Sequence, residues 1–198
     1  MEMLQDPKLQ GRVVAAFTFK KEVYAEVEHD ESFTRTAWII VGVVSFLSQL
    51  GGLGQMGFIA WIAKLVIGTA LAVGGFAAGA WLISFLGQQM FKAEVTFEEM
   101  VRCLGLAYVW QIVGLIGAIA SYVGPLACIL APVSIIGVVA VLAAWLIAAK
   151  EALDLEWGPT AITVVVGWIA TAIIGAIAGV LLGLLGAGAA GIGGMLGG

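Results

Sequence analysis

Beyond residue 36 the chain is a series of long apolar runs broken by short polar or Gly/Pro stretches, whereas before it apolar and charged positions alternate. A membrane-spanning helix needs about 20 mainly apolar residues, because the hydrocarbon layer is about 30 Å thick and each residue rises about 1.5 Å. Five runs qualify and predict spans over 37–54, 65–87, 103–121, 126–149 and 160–186. The second is cut from a longer run, 57–91, whose single charge is Lys64. As one straight helix that run would reach about 50 Å. An interfacial piece over 58–64 followed by the span is therefore expected, with one tilted or kinked helix as the rival. Trp61 and Lys64 suit a headgroup layer, one through its amphipathic ring and the other by snorkelling.

Local signals mark the boundaries. Gly51, Gly52 and Gly54 end the first run, and Gly158 and Pro159 precede the last. Tyr122, Gly124, Pro125 and Pro132 punctuate the connection between the third and fourth runs. Thr96, with Glu99 three places on, fits a capping box at the start of a helix. In the first 36 residues, Val13, Ala16, Phe17, Val23, Tyr24 and Val27 fall within about a third of a helical wheel. Lys20 interrupts that stripe, so two pieces broken near 18–20 are expected, lying on the membrane's inner face or on the span ends. The predicted organisation is a collar over 1–36, a membrane domain over 37–187 and a flexible Gly-rich tail over 188–198.

Composition fixes the class. Of the 198 residues, 62% are hydrophobic and 11% charged, with mean hydropathy +1.08. A soluble domain is nearer half apolar and a quarter charged, so the surplus apolar surface requires lipid. The fold class expected is all-α: a polytopic bundle of five transmembrane helices with an N-terminal interfacial amphipathic segment. Twelve of the 22 formal charges precede Trp38. A secretory signal opens with a short basic region and a transit peptide is poor in acids; the mixed-charge start here is neither.

Charge also orients the chain. With the N-terminus inside and five spans, eight of the nine Lys and Arg residues fall on the inner side and only Lys64 outside, the bias expected of cytoplasmic loops. The expectation is a multi-pass protein of the cytoplasmic (inner) membrane, with its C-terminus on the outer side.

Candidate chemistry is sparse. No predicted span carries an acid or histidine in its interior, where proton- or cation-coupled carriers usually place one. Lys64 is either an interfacial, snorkelling residue or a buried functional lysine. Gln111, nearer mid-membrane, either lines a polar path or makes an interhelical hydrogen bond. Gly175, Gly179 and Gly183 recur every four residues in the last span, and Gly75 and Gly79 repeat the device in the second. Small residues allow helices to approach closely in lipid, so these are candidates for packing within the chain or against another chain. Val23, Tyr24 and Val27 are the collar's candidate contact residues, and the acids around them favour a protein partner over anionic lipid. Cys103 and Cys128 lie near opposite ends of their spans, and His29 is the sole histidine. No metal-ligand cluster, nucleophile–base set or phosphate-binding glycine loop is visible. No enzyme activity, cofactor, metal or nucleic-acid partner is expected.

The run of Gly11 and Arg12, Phe17, Val23 and Tyr24, Glu26 and Val27, Asp30, Thr34, Thr36 and Ala37 resembles the lead-in of bacterial members of the Ypt-interacting-protein (Yip) domain family. The resemblance extends through the Gly/Ala-rich second run to Lys150–Trp168, covering roughly residues 10–185. It implies five spans with a cytoplasmic N-terminus. Eukaryotic members are associated with Rab-type GTPases and carry a cytosolic Asp-Leu-Tyr-Gly-Pro motif before the first span. This chain lacks that motif, so the resemblance does not extend GTPase binding to it. Two functions are expected to compete: a scaffold or accessory subunit for other membrane proteins, and a channel or carrier of small solutes or lipids. Convergence of Gln111, Ser121, Ser134 and Thr171 on one cavity would favour the second.

Overall fold

A computed structural model describes residues 6–50, 57–113 and 124–196, and every element among them is helical. Two short helices come first, α1 (Pro7–Phe17) and α2 (Glu22–His29). Asp6 caps α1, its carboxylate accepting from the Lys8 amide at 2.9 Å with Pro7 at the first position, where Pro costs no hydrogen bond. The break between them falls at 18–21, as the stripe interrupted by Lys20 predicts. Phe19 turns the chain with φ 55°.

Then follow α3 (Phe33–Gln49), α4 (Phe58–Phe91), α5 (Phe97–Ala107) with a 3-10 extension over Tyr108–Ile112, α6 (Gly124–Leu153) and α7 (Trp157–Leu196). The capping box at α5 is present: Thr96 Oγ1 accepts from the Glu99 amide at 3.2 Å, and Glu99 Oε2 accepts from the Thr96 amide at 2.7 Å.

Three helical segments are long and apolar enough to cross a membrane, Trp61–Phe91, Ile135–Leu153 and Trp157–Ile177, while α3 is a shorter apolar helix. Between 22% and 39% of their most apolar windows is buried in the molecule. Ile135, Ile136, Val139 and Ile169 stand more than half exposed. Apolar faces of that extent call for lipid or a partner.

Several boundaries differ from expectation. No break separates 58–64 from the second span, because α4 is continuous over 34 residues. It contains no proline, and its glycines keep their helical hydrogen bonds, the favourable state where water is absent. The first span begins four residues early, at Phe33, and 51–54 lie outside the described residues. The third is helical only to Ala107 and tightens into 3-10 geometry, with 114–121 outside the described residues. The last helix continues through the Gly-rich stretch to Leu196, where a flexible tail was expected; each added residue gains one backbone bond.

α5 is the hub. It packs against α1 to α4 and α6, and Met100 to Ala107 are all buried. Its approach to α3 is close enough that a Cβ on Gly105 would stand 2.8 Å from Ala37 Cβ and 3.3 Å from Ala37 Cα. The collar lies over this hub: Ala16, Tyr24 and Val27 are fully buried, and Trp110 Nε1 donates to the Ala16 carbonyl at 3.1 Å.

Candidate functional site

Two assemblies gather polar side chains. At the collar end, Arg12 is only 8% exposed; its Nε and Nη2 donate to Glu26 Oε1 at 3.1 and 2.8 Å, and Nη2 donates to Asp30 Oδ2 at 2.6 Å. The guanidinium lies 4.9 Å from the centre of the Phe33 ring. Arg102, equally buried, donates through Nε to the Glu28 carbonyl at 2.8 Å, through Nη2 to the same oxygen, and through Nη1 to Thr34 Oγ1 at 3.2 Å. Ser32 and Arg12 hold the Asp30 carboxyl down at about 2, while burial pushes the Glu28 carboxyl up. These contacts join α1, α2, α3 and α5. They form a latch built around two buried guanidinium groups.

The collar residues Val23, Tyr24 and Val27 are between 0% and 6% exposed. Their stripe faces the chain's own hub, the span-end placement that was one of the two expected for it. Burying it against α5 removes apolar area from water inside one chain. The Cys103 thiol donates to the Tyr24 carbonyl at 3.5 Å.

The second assembly is a cavity of about 500 Å³ among α4, α6, α7 and the 3-10 turn. α4 and α7 run antiparallel and cross where Gly79 faces Thr171 and Gly167 faces Ile83. A Cβ on Gly79 would stand 2.7 Å from Thr171 Oγ1, and one on Gly167 would stand 2.5 Å from Ile83 Cγ1. Away from the collar the helices part. A Cβ on Gly75 would make only ordinary contacts at 3.8 and 3.9 Å, and Gly175, Gly179 and Gly183 face nothing within 4 Å. Gly79 is therefore a packing glycine, whereas the three in α7 are not consumed by packing within the described residues.

Phe76, Trp145 and Trp168 form the apolar lining. Phe76 meets Trp145 edge-on at 6.1 Å and Tyr108 at 5.3 Å, and the Tyr108 hydroxyl lies 3.2 Å from Ser45 Oγ. Polar groups enter from Gln49, Lys64, Gln111 and Thr171. Lys64, Gln111, Gly75, Gly175 and Gly179, singled out separately in the sequence, thus share one wall. Of the four residues whose convergence was to discriminate between functions, Gln111 and Thr171 meet there; Ser121 and the Ser134 side chain lie outside the described residues. Trp145 Nε1 has no hydrogen-bond partner, but it is buried and inaccessible to the cavity.

Sequence reasoning missed Gly167, Trp145 and Trp168 as site residues, and it missed the burial of Arg12 and Arg102. A Gly-Trp pair within an apolar helix was the available signal for Gly167 and Trp168. Nothing local marks a buried arginine. Among the described residues no group of three His, Cys, Asp or Glu side chains is placed to hold a metal. The chemistry on offer is binding: one cation, two carboxamides and a hydroxyl set in an aromatic and aliphatic wall.

Residues 14–180 match the family model described as the Yip1 domain. No curated protein and no solved structure matches the chain.

Proposed function

This chain belongs to the Yip1 domain family, and we propose that it is a non-enzymatic, five-span protein of the cell membrane that binds a membrane-embedded guest in the α4–α6–α7 cavity, as a carrier of small solutes or lipids does. Its multi-pass membrane character rests on the family and on three helices able to cross. Five passes are supported by the alternating course of the helices. α3 leaves the collar and ends with Gln49 beside Gly68 of α4; α4 returns until Gly87 meets Leu153; α7 leaves again. The N-terminus is assigned to the cytoplasmic side by the Lys and Arg bias, which places the C-terminus outside.

One observation carries the functional reading: polar side chains from four separate elements converge on a concave, largely apolar site, the form that small-molecule sites take. Reconstituted vesicles test it. Flux of a solute or a labelled lipid above that of protein-free vesicles, reduced by Ala172→Trp on the cavity lining, is the expected result. Equal flux with and without protein, together with no bound guest after purification, overturns it.

A second reading is a scaffold or accessory subunit that docks another membrane protein or a second copy. It is favoured by Gly175, Gly179 and Gly183, which leave one face of α7 open to a neighbouring helix. A mild-detergent pull-down that loses its partner in Gly183→Leu would support it. GTPase binding is not part of either reading.

A further inference from the structure

We infer that the guest of this cavity is a phospholipid with an anionic head at Lys64 and one of its hydrocarbon chains along Phe76, Trp145 and Trp168. The inference rests on the intramembrane-binding reading and names its ligand class. Length comes first. Along α4 the lining runs from Lys64 to Phe76, and along α7 from Trp168 to Gly179, about 18 and 17 Å at 1.5 Å per residue. The 500 Å³ spread over that length makes a long groove, open on one side, that a hydrocarbon chain fits.

Polarity then sets the direction. Lys64 and Gln49 flank Gly68 at the end farthest from the collar, and Gln49 Oε1 would stand 2.7 Å from a Cβ on Gly68. The aromatic rings occupy the other end, near the Gly79 crossing. Among the described residues the lining carries one positive charge and no carboxylate. A cation there disfavours a second cation and attracts an anion. Lys64 lies about 40 Å along α4 from Phe91 at the collar end, which puts it in the opposite headgroup layer, where a lipid's phosphate sits. The entrance is the open side of α7, where Gly175 and Gly179 present no side chain.

The test uses the full chain and vesicles of equal parts phosphatidylcholine and phosphatidylglycerol, with retained lipid read by native mass spectrometry. The wild-type protein is expected to keep one phospholipid per chain, with phosphatidylglycerol favoured about fivefold, the scale of one basic residue acting on anionic lipid. Lys64→Gln should retain the lipid but bring that ratio close to one. Gly175→Phe, whose Cβ would meet nothing within 4 Å, should lose the lipid while keeping its helical content. If Lys64→Gln keeps the wild-type preference while Gly175→Phe loses the lipid, the head assignment is wrong and the cavity reading stands. If Gly175→Phe retains the same lipid, the guest lies elsewhere and both fail.

Discussion

At the collar end Arg12 is 8% exposed and grips two carboxylates and a ring; at the far end Gly175 and Gly179 meet nothing within 4 Å. The first region is closed by ion pairs and apolar packing. Around the second, the backbones cross at Gly79 and Gly167 and then separate. The difference follows from solvent. Beside water, apolar burial and charge-assisted hydrogen bonds close a structure. Within lipid no hydrophobic force draws helices together, so contact depends on small residues, and an opening costs little when lipid can fill it. A rigid latch and an open site can therefore coexist in one chain.

Removing the latch should have the largest effect. Arg12→Ala removes the charge-assisted hydrogen bonds to Glu26 and Asp30, whose carboxylates keep access to water, and should cost about 1.5–3 kcal/mol. Thermal unfolding in detergent should show it as a large fall in melting temperature, with lipid retention in the surviving folded fraction unchanged. A melting temperature equal to wild type would mean that the collar does not close the fold.

A glycine pair sharpens the contrast. Gly105→Ala forces a Cβ against the Ala37 backbone, and overpacking of that kind costs about 1–3 kcal/mol. Gly175→Ala enters open space and should fall within about 0.5 kcal/mol of wild type. Equal losses would erase the distinction between packed and open helix contacts.

Acid should weaken the collar before the rest. The Asp30 carboxyl titrates at about 2 in the folded chain against an ordinary 3.8. A carboxyl held low when folded contributes stability that is fully present above the unfolded value and is lost as pH falls through the folded one. Stability should therefore drop between pH 3.8 and about 2, and Ser32→Ala, which removes the largest cause, should flatten that drop. Lys8→Ala marks the lower bound. Lys8 sits 3.7 Å from both Glu26 and Asp30 but is 63% exposed, so its loss should cost about 0.5 kcal/mol or less.

Much of this was legible in the chain. The apolar runs, the break at 18–21 and the Thr96 and Glu99 capping box follow from period and local hydrogen-bond chemistry, which neighbours in sequence decide. Family membership was legible too, through residues spread from Gly11 to Trp168. The continuity of the second helix through 58–64 was not, because hydropathy measures affinity for lipid and does not register where a continuous helix begins. The collar stripe was legible, but the choice between the membrane face and the span ends was not: an amphipathic pattern shows that one face must be covered and does not say by what.

The sequence alone determined that this protein lives in lipid, that its charges gather at one end, and that glycines recur on two helices. Only the tertiary structure decided which glycines touch. Gly79 and Gly175 lie on equally apolar helices, and they differ because α4 and α7 cross at one and have parted at the other. That crossing depends on residues nearly a hundred positions apart, and no local pattern carries it. It also brings Lys64, Gln111 and Thr171 to a single wall.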